Sequence, residues 1–112
     1  MRVLVCGGRD YKNSKFLFNK LQDIPITVLI QGEARGADAL AKQYAIKNNI
    51  EYESYPANWQ KYGKGAGYRR NSEMLKKGKP ELVVAFTGGK GTDMMVSLAI
   101  DNGTDVLDYR EK

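Results

Sequence analysis

The chain has 112 residues, of which 42% are hydrophobic and 28% are charged, a size and balance that fit one globular domain and leave no room for a second. One cysteine and no histidine exclude an internal disulfide and a metal site built from thiolates and imidazoles. Lysine and arginine outnumber aspartate and glutamate by 18 to 13, which favours anionic partners such as nucleotides or nucleic acid.

The chain carries no pattern for secretion or for a membrane. No apolar run approaches the roughly 20 residues of a membrane span, and residues 1–5 lead into glycine instead of the core of a signal peptide. A lone cysteine fits a reducing compartment. We therefore expect a soluble, unprocessed, cytoplasmic protein with no membrane partner, no metal and no cofactor.

The first elements predicted along the chain are a strand and a helix. The segment RVLVCGG, residues 2–8, is typical of a strand that ends in a turn. The segment FLFNKLQDI, residues 16–24, has the spacing of an amphipathic helix. Asn13 and Ser14 precede it and are plausible N-cap residues, so we expect the helix to begin there.

A second strand, a second helix and a weaker third strand follow. ITVLIQG, residues 26–32, is apolar and rich in β-branched side chains, as a buried strand requires. EYESY, residues 51–55, is less apolar and predicts a strand near an edge of the sheet. Between them, helical spacing predicts one buried stripe, formed by Ala37, Leu40, Ala41, Tyr44 and Ala45.

The rest of the chain repeats the alternation after a long polar segment. Residues 56–67 predict a glycine-containing loop, and residues 68–78 a short helix stopped by Gly78 and Pro80. ELVVAF, residues 81–86, predicts the fourth strand. The last helix ends near Asn102 and Gly103, before a fifth strand in TDVLDY, residues 104–109. The apolar face of that helix comprises Met94, Met95, Leu98 and Ala99.

Apolar strands that alternate with helices predict a parallel sheet covered on both faces. We therefore expect an α/β fold, a single doubly wound domain over residues 1–112 with a mostly parallel sheet of about five strands. In such sheets ligands bind at the carboxyl ends of strands, where the strand order reverses.

Glycine clusters follow three of the predicted strands. Main-chain N–H groups hold phosphate closely only where no Cβ obstructs the approach, so these turns predict a phosphate site in one shared crevice. Each glycine taken alone would equally suit a simple turn. The spacing matches neither a P-loop nor GxGxxG, which argues against ATP hydrolysis of the P-loop type. The glycines are Gly7, Gly8, Gly32, Gly36, Gly88, Gly89 and Gly91.

Polar side chains flank these glycine turns. Arginine side chains match phosphate oxygens in pairs and carboxylates suit ribose hydroxyls, so the mixture favours a nucleotide site over a plain basic patch. The alternative for each residue alone is a solvated loop charge, a helix-end ion pair or, for Asp38, a favourable position in the helix dipole. The residues concerned are Arg9, Asp10, Glu33, Arg35, Asp38, Arg69, Arg70 and Asn71.

Other side chains near these turns have two interpretations each. Thr92 could cap the last helix or donate to a phosphate oxygen. Cys6 is predicted to be a small buried residue and not a nucleophile, because no histidine exists to act as its base. Three aromatic residues could stack on a base or cover the core: Trp59, Tyr62 and Tyr68.

Four segments together resemble the YspA-type, YpsA-related branch of the SLOG superfamily. They are CGGRDY at 6–11, GEARGADALAKQYA at 32–45, PANWQKYGKGAGYRRNSEML at 56–75 and FTGGKGTDMMVSLA at 86–99. The superfamily also contains the Lonely Guy phosphoribohydrolases and the Rossmann-like part of the DNA-processing protein DprA. The resemblance spans nearly the whole chain and implies a Rossmann-like fold that binds nucleotides or nucleotide-derived ligands, with roles in nucleotide signalling or phage and host conflict.

The chain departs from the Lonely Guy motif PGGxGTxxE at two positions. Thr87 stands at the proline position and Met95 at that of the glutamate that takes part in cleaving the N-glycosidic bond. The resemblance thus implies the phosphate site without the catalytic acid. Arg70 resembles the arginine that partners that glutamate. The positions that persist are Gly88, Gly89, Gly91 and Thr92.

The first of three hypotheses is the capture of a nucleotide or nucleotide-derived signalling ligand without turnover. It explains the missing glutamate, because Met95 then simply belongs to the apolar stripe of its helix. The predicted ligand-binding residues are Gly7, Gly8, Arg9, Asp10, Gly32, Gly36, Asp38, Arg70, Asn71, Gly88, Gly89, Gly91 and Thr92.

The second hypothesis is a nucleoside-monophosphate phosphoribohydrolase, or a related nucleotide hydrolase, with a relocated catalytic acid. Glu33 or Asp10 is the first candidate for that acid, ahead of Asp38 and Glu73, and Arg70 is a further catalytic candidate.

The third hypothesis is single-stranded nucleic-acid binding, with Trp59 and the tyrosines stacking on bases. It ranks last because the basic residues are spread along the chain instead of forming a tract. A nucleic-acid partner therefore ranks below a small nucleotide. By analogy with the Lonely Guy enzymes, a homodimer is a further expectation.

Overall fold

Five strands form one sheet at the centre of the computed structural model, which describes residues 1–111. The strand order is β3-β2-β1-β4-β5, and every neighbouring pair is parallel. The predicted mostly parallel sheet of about five strands is therefore confirmed, and these five are parallel throughout. The strands are β1 (Arg2–Cys6), β2 (Val28–Gln31), β3 (Glu51–Ser54), β4 (Leu82–Phe86) and β5 (Asp105–Tyr109).

Helices connect the strands. The predicted start of the first helix is confirmed, because the Asn13 side chain accepts a hydrogen bond from the Phe16 N–H at 3.1 Å. The helices are α1 (Ser14–Leu21), α2 (Ala37–Lys47), α3 (Trp59–Tyr62), α4 (Ala66–Gly78) and α5 (Lys90–Asp101), with a 3₁₀ turn over Gly63–Gly65. Within residues 1–111, no helix is long and apolar enough to cross a membrane.

The central strand β1 shows why both faces of the sheet are covered. Val3 and Val5 pack on one face with residues of α1 and α2, whereas Leu4 and Cys6 pack on the other face with residues of α4 and α5. All four side chains are buried. Successive residues of a strand face opposite sides, so a strand covered on both sides is apolar at every position. The predicted doubly wound domain is confirmed.

The prediction of one continuous loop over residues 56–67 is wrong. The Asn58 side chain accepts a hydrogen bond from the Lys61 N–H at 3.0 Å and caps the short helix α3. α4 then begins at Ala66, two residues before the predicted helix, because Ala66 is buried against the domain. Glycines at 63, 65 and 67 lower the helical propensity of this segment, and tertiary packing overrides that propensity.

The end of α4 differs in detail from the prediction. Gly78 is the last helical residue and is buried, and a Cβ there would lie 3.2 Å from a terminal methyl group of Ile30. The residue in the left-handed conformation that ends the helix is Lys79, with φ of 48°. Gly78 therefore allows α4 to pack closely on β2, and Lys79 provides the stop.

Candidate functional site

The site lies where the order of the strands reverses, between β1 and β4. The turn that follows β1 contains Gly7 and Gly8, and the turn that follows β4 contains Thr87, Gly88 and Gly89. The two turns are in direct contact, since the Gly8 N–H donates to the Thr87 carbonyl at 3.0 Å. Parallel sheets bind ligands in the crevice at this position.

The glycine turn after β2 joins the same place. The Ala37 N–H at the start of α2 donates to the Gly8 carbonyl at 3.1 Å. Gly36 has φ of 78°, and a Cβ there would lie 2.6 Å from the Arg9 carbonyl oxygen. Only glycine suits this conformation and this approach. The structure thus brings the three glycine turns together, as the sequence predicts.

The turn before α5 contains two kinds of glycine. A Cβ at Gly88 would lie 2.6 Å from the Gly8 nitrogen and would overlap the Thr92 hydroxyl, so Gly88 packs the two turns together. A Cβ at Gly89 or Gly91 would meet no other atom within 4 Å. Gly89 and Gly91 therefore keep the approach to the start of α5 open.

The N-terminus of α5 presents main-chain donors to this opening. The Asp93 N–H donates to the carbonyl of Gly89, the N-cap residue, at 3.1 Å. The N–H groups of residues 90–92 precede that first bond and have no partner within the helix ladder. Thr92 is buried inside the first turn and does not cap the helix. Such a helix start favours an anion through its donors and its dipole.

Two cavities flank the glycine turns. The α1 cavity, of about 510 Å³, lies beside α1 and β5. The α4 cavity, of about 530 Å³, lies between α2, α4 and α5. Three residues line both cavities: Gly8, Arg9 and Gly89. The other principal residues of the α1 cavity are Asp10, Tyr11, Lys12, Phe16, Thr87, Gly88, Tyr109 and Glu111. Those of the α4 cavity are Gly7, Asp38, Trp59, Lys64, Tyr68, Arg70, Asn71, Gly91, Thr92 and Met95.

Arg70 and Asn71 connect the glycine turns through α4. Arg70 Nη1 donates to the Gly32 carbonyl at 2.6 Å, and its Nε donates to Asn71 Oδ1 at 2.9 Å. Asn71 Nδ2 donates in turn to the Gly91 carbonyl at 3.3 Å. Burial lowers the pKa of Arg70, but a guanidinium remains charged at neutral pH. The floor of the α4 cavity is therefore a fixed, cationic hydrogen-bonded chain.

Asp38, in the first turn of α2, is the carboxylate that lines this cavity among the described residues. Its side chain is almost fully buried, and Oδ2 accepts a hydrogen bond from the Ala34 N–H at 3.3 Å. Burial raises the pKa of Asp38 to about 6, although the nearby Arg70 charge opposes the increase. Asp38 can therefore exchange a proton near neutral pH.

The structure places Glu33 outside the α4 cavity. Glu33 has φ of 57°, and its carboxylate accepts hydrogen bonds from Lys42 Nζ at 2.7 Å and from Gln31 Nε2 at 3.1 Å. These bonds, that of Lys42 above all, lower the pKa of Glu33 to about 2. Glu33 lines a separate surface depression beside α2. It is held as an ionised acceptor and not as a proton donor to the crevice.

Asp10 lines the α1 cavity and forms an exposed ion pair with Arg35. The Asp10 side chain is 92% exposed in the α1 cavity and meets Arg35 Nη2 at 3.4 Å. Exposed pairs of this kind contribute little stability. Asp10 is therefore available to solvent or to a ligand, but nothing buried positions it.

The aromatic residues of α3 and of the first turn of α4 divide into two groups. Trp59 and Tyr68 are half exposed and line the α4 cavity, with the Arg9 guanidinium 5.1 Å from the centre of the Trp59 ring. Tyr62 instead lies under the Arg69 guanidinium at 4.1 Å. Trp59 and Tyr68 are placed to contact a ligand, whereas Arg69 and Tyr62 form a pair of their own.

The predictions for two core residues are confirmed. Cys6 is buried, and this burial raises the pKa of its thiol far above the usual range, so it is not a reactive thiolate. Met95 is buried in the core between the sheet and α5. Within residues 1–111, no group of three or more His, Cys, Asp or Glu side chains could hold a metal ion.

Sequence reasoning missed the aromatic wall of the α1 cavity. The Phe16 ring lies edge-on to Phe86 and Tyr109, with ring centroids 6.1 Å and 6.0 Å away. Phe16 fits the apolar face of a helix, and nothing in its local pattern indicates a cavity. The pairing of Phe86 with Tyr109 depends on β4 and β5 being neighbours, which periodicity does not specify.

Comparisons with known proteins agree with this architecture. The model of the YAcAr family, described as the YspA, cpYpsA-related SLOG family, matches residues 1–62. Gene 61 protein of Mycobacterium phage D29 is 32% identical over 123 aligned positions, which cover 99% of this chain and 98% of that protein.

A solved structure confirms the Rossmann-like fold that the resemblance implies. The X-ray structure of DNA processing protein A (DprA) from Streptococcus pneumoniae matches with a TM-score of 0.77 at 18% identity. The match covers 96% of this chain and 49% of the DprA chain, so this chain spans about half the length of that relative. At this identity the likeness concerns the fold alone.

Proposed function

Because the chain belongs to the YspA, cpYpsA-related SLOG family, we propose that it binds a nucleotide or nucleotide-derived signalling ligand and releases it unchanged. Membership of this family indicates a nucleotide-related or nucleic-acid-related function. The observation that carries the finer proposal is the opening at Gly89 and Gly91, where the start of α5 faces two cavities of nucleoside size.

In this proposal a phosphate group lies against the N–H groups of residues 90–92. Gly89 and Gly91 admit it because no side chain covers the approach, and Gly88 holds the turn in position. Arg9 lines both cavities and can pair with phosphate oxygens. Arg70 and Asn71 contribute less directly, since their polar atoms already bond to Gly32 and Gly91.

The residue at position 95 supports the proposed absence of turnover. In the Lonely Guy motif that this turn resembles, a glutamate at this position takes part in cleavage. Here the Met95 side chain is 1% exposed and belongs to the core of the domain. A thioether can neither transfer a proton nor stabilise a cationic sugar. The turn proposed to bind the phosphate is therefore present, whereas the glutamate that would take part in cleavage is not.

The test is to purify the protein under native conditions, denature it and identify the released small molecules by mass spectrometry. We expect an intact molecule that contains a phosphorylated nucleoside. Incubating fresh protein with that molecule should leave its concentration unchanged. Recovery of no phosphorylated nucleoside, together with no binding of added nucleotides, would contradict the proposal.

A second candidate function, nucleotide N-glycoside hydrolysis, is favoured by the position of Asp38. Its buried carboxyl group lines the α4 cavity, and its pKa of about 6 would allow proton transfer at neutral pH. In ionised form it could also stabilise positive charge that develops on a sugar. Release of base and sugar phosphate by the natural protein, and not by the Asp38→Asn variant, would establish this function in place of simple capture.

A further inference from the structure

The α1 and α4 cavities lie on opposite sides of the same glycine turns. We propose that the ligand has two ends, with its base in the α1 cavity, a diphosphate over the shared turns and a second sugar in the α4 cavity. This inference rests on the proposed function and names its ligand class, a nucleoside diphosphate joined to a sugar. The shared residues Gly8, Arg9 and Gly89 are where the phosphates would lie.

The sizes of the cavities support a ligand with two ends. Their volumes are about 510 Å³ and 530 Å³, each enough for a nucleoside-sized group. A nucleoside monophosphate would fill one cavity and leave the other to solvent. In doubly wound sheets, ligands that contain a diphosphate span the crevice where the strand order reverses, which here lies between β1 and β4.

The α1 cavity has the chemistry of a base site. Its wall contains the half-exposed ring of Phe16, which packs edge-on against Tyr109. Lys20 Nζ lies 5.3 Å from the centre of the Phe16 ring and 5.2 Å from that of Tyr109, so a positive charge lies beside these two rings, outside the cavity lining. Aromatic rings bind nucleobases by stacking, whatever the base.

The α4 cavity has the chemistry of a sugar site. Asp38 and Asn71 are nearly fully buried, and both line the cavity. The Asp38 carboxylate uses Oδ2 for the Ala34 N–H and retains further acceptor sites, which suit hydroxyl groups. Tyr68 at the rim is 54% exposed and can cover one side of a sugar ring.

Arg9 lies between the two sites and supplies charge for a diphosphate. Its guanidinium group lies 5.1 Å from the centre of the Trp59 ring, at the boundary between the cavities. A ligand anchored there would therefore affect the fluorescence of Trp59, which is the only tryptophan of the chain. This residue gives binding experiments a built-in signal.

The test compares matched pairs of probes by calorimetry and by Trp59 fluorescence. The pairs are AMP with ADP-ribose, GMP with GDP-mannose and UMP with UDP-glucose. For the preferred base, we expect the diphosphate sugar to bind at least about tenfold more tightly than the monophosphate, because it gains contacts in the second cavity.

Three variants assign the two ends. Phe16→Leu keeps apolar packing in the α1 cavity but removes the aromatic ring, so it should weaken both members of the preferred pair by about tenfold. Tyr68→Ala should weaken the diphosphate sugar by a similar factor and leave the monophosphate unchanged. The control is Tyr52→Ala, which removes an exposed ring outside both cavities and should change neither affinity. Thermal melts monitored by circular dichroism verify that each variant is folded.

The outcomes separate this inference from the proposed function. Equal affinity for both members of the preferred pair, with Tyr68→Ala binding as the natural protein does, would overturn the two-ended ligand and leave nucleotide binding intact. No binding of any probe would overturn nucleotide binding itself. Tighter binding of the diphosphate sugar, with separate effects of the Phe16 and Tyr68 variants, would support both.

Discussion

Asp38 and Arg70 meet around the backbone of Gly32, where a buried carboxylate lies near a half-buried guanidinium in the wall of one cavity. A Cβ at Gly32 would lie 2.9 Å from Asp38 Oδ2 and 2.5 Å from Arg70 Nη1. The two side chains come from α2 and α4, on opposite faces of the sheet. Glycine at position 32 is therefore what allows both to reach the crevice.

Asp38 should make the protein less stable as the pH rises. Its folded-state pKa of about 6 lies above its ordinary value of 3.8 because burial disfavours the charged form, despite the favourable charge of Arg70. The contribution of the group to stability is thus fully present below pH 3.8 and is lost as the pH rises through 6. The Asp38→Asn variant should be more stable than the natural protein at pH 8, by at most about 3 kcal/mol.

Urea unfolding of both proteins between pH 4 and pH 8 checks this prediction. The difference in unfolding free energy should shrink towards pH 4, where Asp38 is mostly protonated. An Asp38→Asn variant that is less stable than the natural protein at pH 8 would show that the carboxylate stabilises the fold instead. Glu33 also contributes to the shift, so a Glu33→Gln variant serves as a comparison.

Glu33→Gln should leave ligand affinity within about twofold, because Glu33 lies outside both cavities. Its folded-state pKa of about 2 lies below the ordinary 4.5, mainly through the hydrogen bond from Lys42. The stability it contributes is present above pH 4.5 and is lost as the pH falls towards 2. Because the Glu33 and Lys42 side chains are each about one third exposed, solvent screening limits the contribution of Glu33 to stability to about 1 kcal/mol.

Calorimetry with the best-binding nucleotide probe tests this expectation for Glu33→Gln. The Asp38→Asn variant is measured in parallel. A tenfold or greater loss of affinity for Glu33→Gln, without unfolding, would mean that Glu33 reaches the ligand after all.

Gly36→Ala should destabilise the fold severely. The position has φ of 78°, and the new methyl group would collide with the Gly8 carbonyl group and approach Arg9. We expect a loss of at least about 2 kcal/mol in the free energy of unfolding. Gly91→Ala is the matched control, because its methyl group faces open space in the first turn of α5, and it should be neutral or stabilising by up to about 1 kcal/mol.

Denaturant unfolding of the two variants measures both effects. Equal stability of Gly36→Ala and the natural protein would mean that the contact between the first two glycine turns is not rigid. The contact between the start of α2 and the Gly8 carbonyl would then not be needed to form the crevice.

Much of the fold could be predicted because single residues carry clear physical signals. Val3, Leu4, Val5 and Cys6 are apolar in succession since both faces of β1 are covered. Asn13 marks the start of α1 through its side-chain acceptor. The positions of glycines after the strands indicate the crevice for the same reason, because backbone can approach backbone only where Cβ is absent.

Other features depend on contacts that a local pattern does not contain. Glu33 and Asp38 are five positions apart, and the sequence alone favours Glu33 over Asp38 as the candidate acid. The left-handed backbone of Glu33 and its bond to Lys42 turn it away, whereas α2 directs Asp38 inwards. Phe16 and Tyr109 meet only because β5 lies next to β4 at the edge of the sheet. Their distance along the chain hides that contact.

The central claim, that a phosphate lies at the start of α5, is tested most directly by Gly89→Asp. Gly89 is the N-cap residue with φ of −104°, and aspartate is favourable at an N-cap, so the variant should fold at least as stably as the natural protein. Its carboxylate would occupy the donors and repel the phosphate. The control is Gly65→Asp, at a glycine that lines neither cavity and whose Cβ would face open space.

The measurement is native mass spectrometry of the natural protein and these two variants, each mixed with the same panel of nucleotides. We expect one bound nucleotide on the natural protein and on Gly65→Asp, and an affinity at least about a hundredfold lower for Gly89→Asp, because close like charges cost several kcal/mol. Equal binding by all three folded proteins would contradict the claim and place the phosphate elsewhere.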